Sequence, residues 1–142
     1  MNVDIIILAA GQGKRMQSSL PKVLQSLGGK PLLQHVIDTC SKLEKVKLHI
    51  VVGSQKKLIQ SSISAPKSTN WVVQKNQLGT GHAVKQALPS LRPNSCSVVL
   101  YGDGPLVKLK TLKRLISNTT KDNLSLLTCL LYTSPSPRDF VR

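Results

Sequence analysis

The chain of 142 residues is poor in aromatic side chains and has no long hydrophobic run. Aromatic residues make up 3% of it, so the core must be aliphatic and a surface for stacking nucleic-acid bases is poorly supplied. The apolar start, Val3 to Ala10, is far too short to span a bilayer and lacks the basic segment of an export signal. We therefore expect a cytoplasmic protein with no membrane partner.

Cysteine is also scarce, and its spacing excludes the common metal sites. The chain has 3 cysteines, Cys40, Cys96 and Cys129, with neither a C-x-x-C pair nor a histidine-linked spacing. An odd number without such spacing is typical of free thiols in a reducing compartment.

Acidic residues are few, 6 against 20 lysines and arginines, which gives a net charge of +14. Such an excess favours polyanionic partners such as nucleotides, nucleic acid or an anionic membrane. The cations are dispersed, however, with no run longer than pairs such as Lys14-Arg15 and Lys56-Lys57. Dispersed lysines are typical of a solvated surface, so we expect no nucleic-acid partner.

Short apolar runs alternate with amphipathic stretches along one domain's worth of chain. The strand candidates are Val3–Ala9, Val46–Val52, Trp71–Gln74, Ser97–Tyr101 and Leu124–Thr128. The helix candidates are Pro31–Lys42, Gln55–Ile63, Gly81–Leu88 and Val107–Asn118. Apolar strands separated by helices predict an α/β fold, a Rossmann-like, doubly wound, mostly parallel sheet with helices on both faces. Its ligand should lie at the carboxyl ends of the strands.

The loop after the first strand carries two glycines and several cations. Gly11 and Gly13 let backbone N–H groups approach an anion closely, while Arg15 and Lys22 offer a planar fork and a point charge for phosphate. The spacing matches neither G-x-x-x-x-G-K-[ST] nor G-x-G-x-x-G, since position 16 is Met16. We predict phosphate binding; the alternative is a glycine-rich turn with incidental surface cations.

Two further loops carry candidate chemistry. Residues 74–83, Q-K-N-Q-L-G-T-G-H-A, join a strand to a helix, and amide side chains suit the edge of a uracil ring. The alternative is a plain loop in which Thr80 caps the helix; His82 we interpret as a packing or capping residue without chemistry.

Residues 101–105, Y-G-D-G-P, place Asp103 at a strand's carboxyl end, where a carboxylate can hold Mg²⁺ against a triphosphate. The alternative is that Asp103 only stabilises the turn by accepting a hydrogen bond from nearby backbone. Asp4, in the first strand, should lie at the opposite end.

The first loop resembles the signature of the sugar-nucleotide pyrophosphorylases, L-A-A-G-x-G-x-R-M followed by P-K. With Q-L-G-T-G-H-A and Y-G-D-G-P in this order, residues 3–128 resemble the uridylyltransferase domain of the bacterial bifunctional N-acetylglucosamine-1-phosphate uridylyltransferases/glucosamine-1-phosphate acetyltransferases. Two positions depart from the pattern: Lys14 replaces a small hydroxyl residue and Gly104 an apolar one. The resemblance implies the nucleotide-diphospho-sugar transferase fold.

The resemblance also implies a reaction between UTP and N-acetylglucosamine-1-phosphate that forms UDP-N-acetylglucosamine and pyrophosphate. UDP-N-acetylglucosamine would serve as a precursor of the cell wall. Mg²⁺ would be the cofactor, held by Asp103, with Arg15 and Lys22 as the catalytic cations on the phosphates. The residues implied in substrate binding are Leu8, Ala9, Ala10, Gly11, Lys22, Gln74, Gly79, Thr80, Tyr101, Gly102 and Asp103. A full-length parent would be a homotrimer through a further, C-terminal domain.

The last residues break the alternating pattern. From residue 129 the chain has two Ser-Pro steps and no periodicity, and resembles a translated sequencing adapter; a natural Ser/Pro linker is the alternative. We expect residues 1–128 to be the N-terminal part of a nucleotidyltransferase domain and residues 129–142 to be a non-native, disordered tail. The chain would then be an inactive fragment that aggregates through an edge strand at Leu124–Thr128.

Two other functions remain open from the sequence. One is a nucleotidyltransferase for another sugar or alcohol phosphate, because the acceptor site is not in view. The other is a basic nucleotide- or RNA-binding module, against which the dispersed lysines and the single Trp71 argue.

Overall fold

The computed structural model describes residues 1–11 and 19–128, and this part contains six strands and four helices. In chain order these are β1 (Asn2–Leu8), β2 (Ser26–Leu27), β3 (Lys30–Pro31), α1 (Leu32–Cys40), β4 (Val46–Val52), α2 (Lys56–Ser62), β5 (Asn70–Val73), α3 (Thr80–Ala87), β6 (Ser95–Tyr101) and α4 (Leu109–Ser117). Short 3-10 turns lie at Lys22–Leu24 and Leu88–Ser90.

Four parallel strands form the main sheet in the order β5-β4-β1-β6, and β2 and β3 form a separate antiparallel pair. The chain moves outward from β1 to β4 and β5, and then returns to place β6 on the other side of β1. This reversal opens a crevice at the carboxyl ends of β1 and β6, where ligands of such sheets bind.

Helices cover both faces of the sheet, as predicted. One face carries the larger core, in which Ile5 and Ile7 of β1 pack with residues of α1, α2 and α4. On the other face Ile6 packs with Ala83 and Ala87 of α3. Successive residues of β1 therefore point to opposite cores, which is why the strand reads as an unbroken apolar run. The predicted α/β, doubly wound parallel fold is confirmed.

Asp4 interrupts that run and is fully buried at the amino end of the sheet, the end opposite the crevice. Its carboxylate accepts hydrogen bonds from His49 Nε2 at 2.9 Å and from the Arg92 backbone and guanidinium at 3.2 Å. Burial alone would raise the pKa of Asp4, but hydrogen bonds from Ser95, His49 and Arg92, with the Arg92 charge, hold that pKa below its ordinary value. Asp4 is thus a structural charge, remote from Asp103 as expected.

The predicted strand at Leu124–Thr128 is wrong, because residues 124–128 form no strand. After α4 the chain folds back on itself: Asn123 Nδ2 donates to the Asn118 carbonyl at 3.1 Å, and Ser125 Oγ donates to the same oxygen at 3.3 Å. These bonds fasten the segment to the end of α4 instead of to the sheet, and Leu124 and Leu126 stay exposed. The predicted tail, residues 129–142, lies outside the described residues.

Cys40 and Cys96 are free thiols, as expected, and Cys129 lies outside the described residues. Burial raises the pKa of Cys40 to about 12. In residues 1–11 and 19–128, no helix has the length and apolar character needed to cross a membrane.

Candidate functional site

A cavity of about 300 Å³ opens at the carboxyl ends of β1, β5 and β6 and at the first turn of α3. It is lined by Leu8, Ala10, Gly11, Lys22, Val23, Gln74, Gln77, Gly79, Thr80, Ala83, Tyr101 and Asp103. Most of the residues singled out in the sequence therefore meet at one place, although they come from four separate stretches of chain.

Two described residues of the implied site, Ala9 and Gly102, do not line this cavity. Ala9 is buried beside it, and its backbone N–H donates to the Val51 carbonyl at 2.8 Å. Gly102 is buried below it and donates its N–H to the Leu8 carbonyl at 2.9 Å. Arg15 lies outside the described residues, as do Gly13 and Lys14.

Gly102 is held in its place by close packing. A Cβ atom there would lie 3.0 Å from the Leu8 carbonyl oxygen and 3.2 Å from side-chain carbons of both Leu33 and Val23. A Cβ at this position would force these neighbours to shift by a few tenths of an ångström, so glycine suits the close approach of β6 to β1. The position sets the distance between Leu8 and Tyr101 on the two sides of the crevice, which are partners in the strand register.

The charged end of the cavity is the ion pair between Lys22 and Asp103, with Nζ and Oδ2 2.9 Å apart. Lys22 begins the 3-10 turn at residues 22–24, and the buried Val23 and Leu24 anchor that turn in the core. Asp103 follows β6 in a turn closed by a bond from the Gly104 N–H to the Tyr101 carbonyl at 3.2 Å. Both side chains are half-exposed, so solvent or a ligand reaches them.

The donor set suits a divalent cation that a substrate helps to bind. Among the residues that the structure describes, no three His, Cys, Asp or Glu side chains cluster to form a complete metal site. Mg²⁺ is ordinarily held by one or two carboxylates together with waters and substrate phosphates, and a single half-exposed carboxylate such as Asp103 meets that need.

The amide end of the cavity is Gln74, which is 4% exposed. Its backbone N–H extends the β5 ladder by donating to the Val52 carbonyl at 2.8 Å. Its Nε2 lies 3.3 Å from the Gly79 carbonyl oxygen and 2.9 Å from Nδ1 of His82. The sequence interpretation gave His82 a packing or capping role, but the structure makes it a direct partner of the side chain predicted to read the base.

Gly79, and not Thr80, is the residue that caps α3, and no side chain donates or accepts a capping bond there. Its φ of +102° is in the region that glycine tolerates and other residues avoid. With no capping side chain, the first backbone N–H groups of α3 are left for water or a ligand beside the cavity.

Gln77 is a lining residue that the sequence analysis did not single out. Its Nε2 donates to the Ala10 carbonyl, which joins the glutamine loop to the end of β1. The side chain also borders a second cavity of about 230 Å³ with Gly53 and Ser54. Its position in the same loop as Gln74 was the sequence signal that could have identified it. Its partner Ala10 is 67 residues away, so the contact could not be inferred from the sequence.

Comparison with known proteins supports this description. Residues 5–129 match the MobA-like NTP transferase domain. The chain is 51% identical over 128 residues, 90% of its length, to the bifunctional protein GlmU of Nitrosomonas eutropha, and resembles the N-terminal region of that protein. It spans 28% of the length of that relative.

Solved structures share the fold at lower identity. Rv0371c of Mycobacterium tuberculosis, in complex with manganese, superimposes with a TM-score of 0.68 at 23% identity, covering 82% of this chain and 59% of its own. A UDP-glucose pyrophosphorylase complexed with UDP-glucose gives 0.64 at 21% identity, covering 83% and 54%. With the family match over most of the sequence, the chain belongs to the MobA-like NTP transferase family.

Proposed function

We propose that the cavity binds UTP for the transfer of its uridylyl group to N-acetylglucosamine-1-phosphate. The observation that carries the proposal is the arrangement of one cavity with the Lys22–Asp103 pair at one side and the buried Gln74 amide at another. A nucleoside triphosphate needs both: charges for its phosphates and amide groups for its base. The resemblance of residues 3–128 to the uridylyltransferase domain supports the acceptor, and the resemblance of the glutamine loop supports uracil.

In the reaction, an oxygen of the sugar phosphate attacks the α-phosphorus of UTP in line. The new P–O bond forms as the bond from that phosphorus to the bridging oxygen breaks, and pyrophosphate leaves with the electron pair. The protein supplies position and charge in such transfers. Lys22 would neutralise charge on the phosphates, and the resemblance implies the same role for Arg15. Mg²⁺ held by Asp103 would stabilise the negative charge of the leaving pyrophosphate.

The remaining contacts of the implied site follow from its backbone. Leu8, Ala10, Gly11, Gly79 and Thr80 all line the cavity, where a nucleoside would contact them. Ala9 and Gly102 would act from beneath it by shaping β1 and the end of β6. Tyr101 ends β6 at the rim and is 60% exposed.

Residues 1–128 are accordingly proposed as the N-terminal, nucleotide-binding part of a nucleotidyltransferase domain. The acceptor site, the homotrimer and the cytoplasmic location are proposals for a whole protein, because this chain spans 28% of its relative's length. We expect this chain to release pyrophosphate only at background rate when mixed with UTP, Mg²⁺ and N-acetylglucosamine-1-phosphate. Clear turnover would contradict the fragment interpretation and leave nucleotide binding intact.

Calorimetric titration of the chain with each of the four nucleoside triphosphates, with Mg²⁺ present, tests the proposal. We expect UTP to bind more tightly than CTP and Lys22→Ala to weaken UTP binding about tenfold, the effect of one charge-assisted hydrogen bond. Lys30→Ala is the matched control, since Lys30 also pairs with an aspartate, Asp38 at 2.7 Å, but does not line the cavity. Equal losses in both variants, or equal affinity for all four nucleotides, would refute the proposal.

A further inference from the structure

We propose that His82 determines the base preference of the cavity by fixing the orientation of the Gln74 side-chain amide. The inference rests on the proposed function, because it concerns how the same cavity selects its nucleotide. His82 lies within α3, behind the cavity wall, so it would be a positioning residue that acts through Gln74.

The hydrogen-bonding chemistry of Gly79 and His82 decides which atom of the Gln74 amide faces them and which atom faces the cavity. The Gly79 carbonyl oxygen, 3.3 Å away, can only accept a hydrogen bond, so the atom beside it must be the NH₂ group. That carbonyl also accepts the Ala83 N–H at 3.1 Å, which holds it in the first turn of α3. One hydrogen of the Gln74 amide is thereby assigned to a fixed acceptor.

The second hydrogen of the same NH₂ group points to His82. Nε2 of Gln74 lies 2.9 Å from Nδ1 of His82, so Nδ1 must offer its lone pair and the imidazole proton must be on Nε2. Nε2 of His82 in turn lies 3.2 Å from Nε2 of Gln86, and a half-turn of the Gln86 amide would place its oxygen there to accept that proton. The Gln74 contact therefore favours the tautomer in which Nδ1 accepts and the proton is on Nε2.

The arrangement leaves the Gln74 oxygen to face the cavity. Both NH₂ hydrogens have protein acceptors, and within the part of the chain that is described Oε1 has no hydrogen-bond partner. An oxygen accepts, so the cavity favours a base whose ring edge donates. Uracil carries N3–H, whereas cytosine has an unprotonated N3 that would face the oxygen lone pair to lone pair. Without His82, the amide would turn more easily and present NH₂ to cytosine.

The test compares two variants that differ in the acceptor they retain. In His82→Leu no acceptor remains, and we expect the ratio of UTP to CTP affinity to fall about three- to tenfold, the effect of one hydrogen bond. His82→Asn places a side-chain oxygen near the position of Nδ1 and should keep most of the ratio. His35→Leu is the matched control, because His35 lies in α1 and bonds the Leu27 carbonyl outside the cavity.

The outcomes separate this inference from the proposed function. If the unaltered chain prefers UTP and His82→Leu keeps that preference, or if Asn and Leu lower it equally, the role of His82 is refuted while uridylyl transfer stands. Nitrogen-15 NMR of the unaltered chain tests the tautomer without any variant: a proton on Nε2 of His82 supports the inference, and a proton on Nδ1 overturns it. If the unaltered chain shows no preference for UTP, the proposed function fails first, and its base selection with it.

Discussion

At the scale of single residues, the two glycines that flank Asp103 have opposite steric surroundings. Gly102 is enclosed, with the Leu8 carbonyl oxygen 3.0 Å from the place where a Cβ would lie. Gly104 is open, and its nearest neighbour would be the Tyr101 carbonyl oxygen at 3.5 Å, an ordinary contact. Neither glycine has a positive φ, so the two positions differ in the room available for a side chain and not in backbone conformation.

We expect Gly104→Ala to stabilise the protein by about 0.4–1 kcal/mol, because it restricts the unfolded chain at no steric cost. Gly102→Ala should destabilise it by about 1–3 kcal/mol, since a backbone oxygen cannot yield as a side chain can. Urea unfolding followed by circular dichroism measures both. A neutral Gly102→Ala would show that β6 can move away from β1 without loss.

At the scale of secondary-structure elements, a buried polar network ties the amino ends of three strands together. Asp4 of β1 bonds His49 of β4, and Asn70 of β5 lies 3.2 Å from the other ring nitrogen of that histidine. Arg92, just before β6, bonds Asp4 and also donates to the Val3 and Lys45 carbonyls. The network satisfies a carboxylate that would otherwise be buried without partners.

The lowered pKa of Asp4 predicts a loss of stability in acid. A carboxyl whose pKa is depressed on folding contributes stability above the pKa of the unfolded chain, about 3.9, and loses it as the pH falls through the folded value. Unfolding free energy from urea titrations should therefore fall from about pH 5 downward. Asp4→Asn should lower stability at pH 7 by about 3 kcal/mol and flatten this acid limb.

Asp38→Asn is the control for that experiment. The pKa of Asp38 is also lowered, because hydrogen bonds from Lys30 and Gln34 outweigh a desolvation effect that would raise it. Since its side chain is 42% exposed, solvent weakens the interaction, and the variant should change stability little. If the unfolding free energy of Asp4→Asn falls in acid as steeply as that of the unaltered chain, the loss of stability comes from other carboxyl groups.

At the scale of the whole molecule, exposed leucines lie beside a broad apolar depression. Leu106, Leu124, Leu126 and Leu127 are 62–82% exposed. Leu106 and Leu127 line a depression of about 610 Å³ with Pro105 and Val107. β6 is an edge strand, since among the described strands it pairs only with β1. Apolar surface of this kind favours association, although the edge is β6 and not the strand predicted at residues 124–128.

We expect the chain to self-associate, and more strongly at high salt. The net charge of +14 keeps copies apart at low ionic strength, and screening shortens the range of that repulsion from about 10 Å at 0.1 M to about 3 Å at 1 M. Sedimentation velocity should show larger species at 1 M salt. The double variant Leu126→Lys with Leu127→Lys should reduce them, whereas Leu88→Lys, at a 52% exposed leucine elsewhere, should not. A monomer at both salt concentrations would refute this expectation.

The local sequence was sufficient for the four strands of the main sheet and all four helices. Val46–Val52 was predicted with its observed bounds, because it is rich in valine, leucine and isoleucine, residues 48–52 are buried, and Gly53 follows directly. The β2–β3 pair was missed although Gly28 and Gly29, with φ of 60° and 78°, are the residues such a turn requires. Each of its strands has two residues, too few for a hydrophobic pattern.

Leu124–Thr128 shows where local pattern fails. Its leucines have strand-like composition, but pairing depends on the partners available, and here the Asn123 and Ser125 side chains bond the Asn118 carbonyl while residues 124–128 pair with no described strand. Amino-acid composition does not show whether a segment will form side-chain hydrogen bonds to a residue nearby in the chain or backbone hydrogen bonds to a strand of the sheet. The same holds for Asp4, whose remoteness from the site was predicted while its partners His49 and Arg92 were not.

The sequence by itself determined the family, the order of strands and helices and the stretches from which the cavity is built, because these depend on periodicity and on short motifs with fixed chemistry. Only the tertiary structure decided which atoms face one another. The Lys22–Asp103 pair joins residues 81 positions apart, and Gln77 reaches Ala10 across 67. The orientation of Gln74 depends on which neighbours can accept a hydrogen bond, and that is a property of three-dimensional placement, not of spacing along the chain.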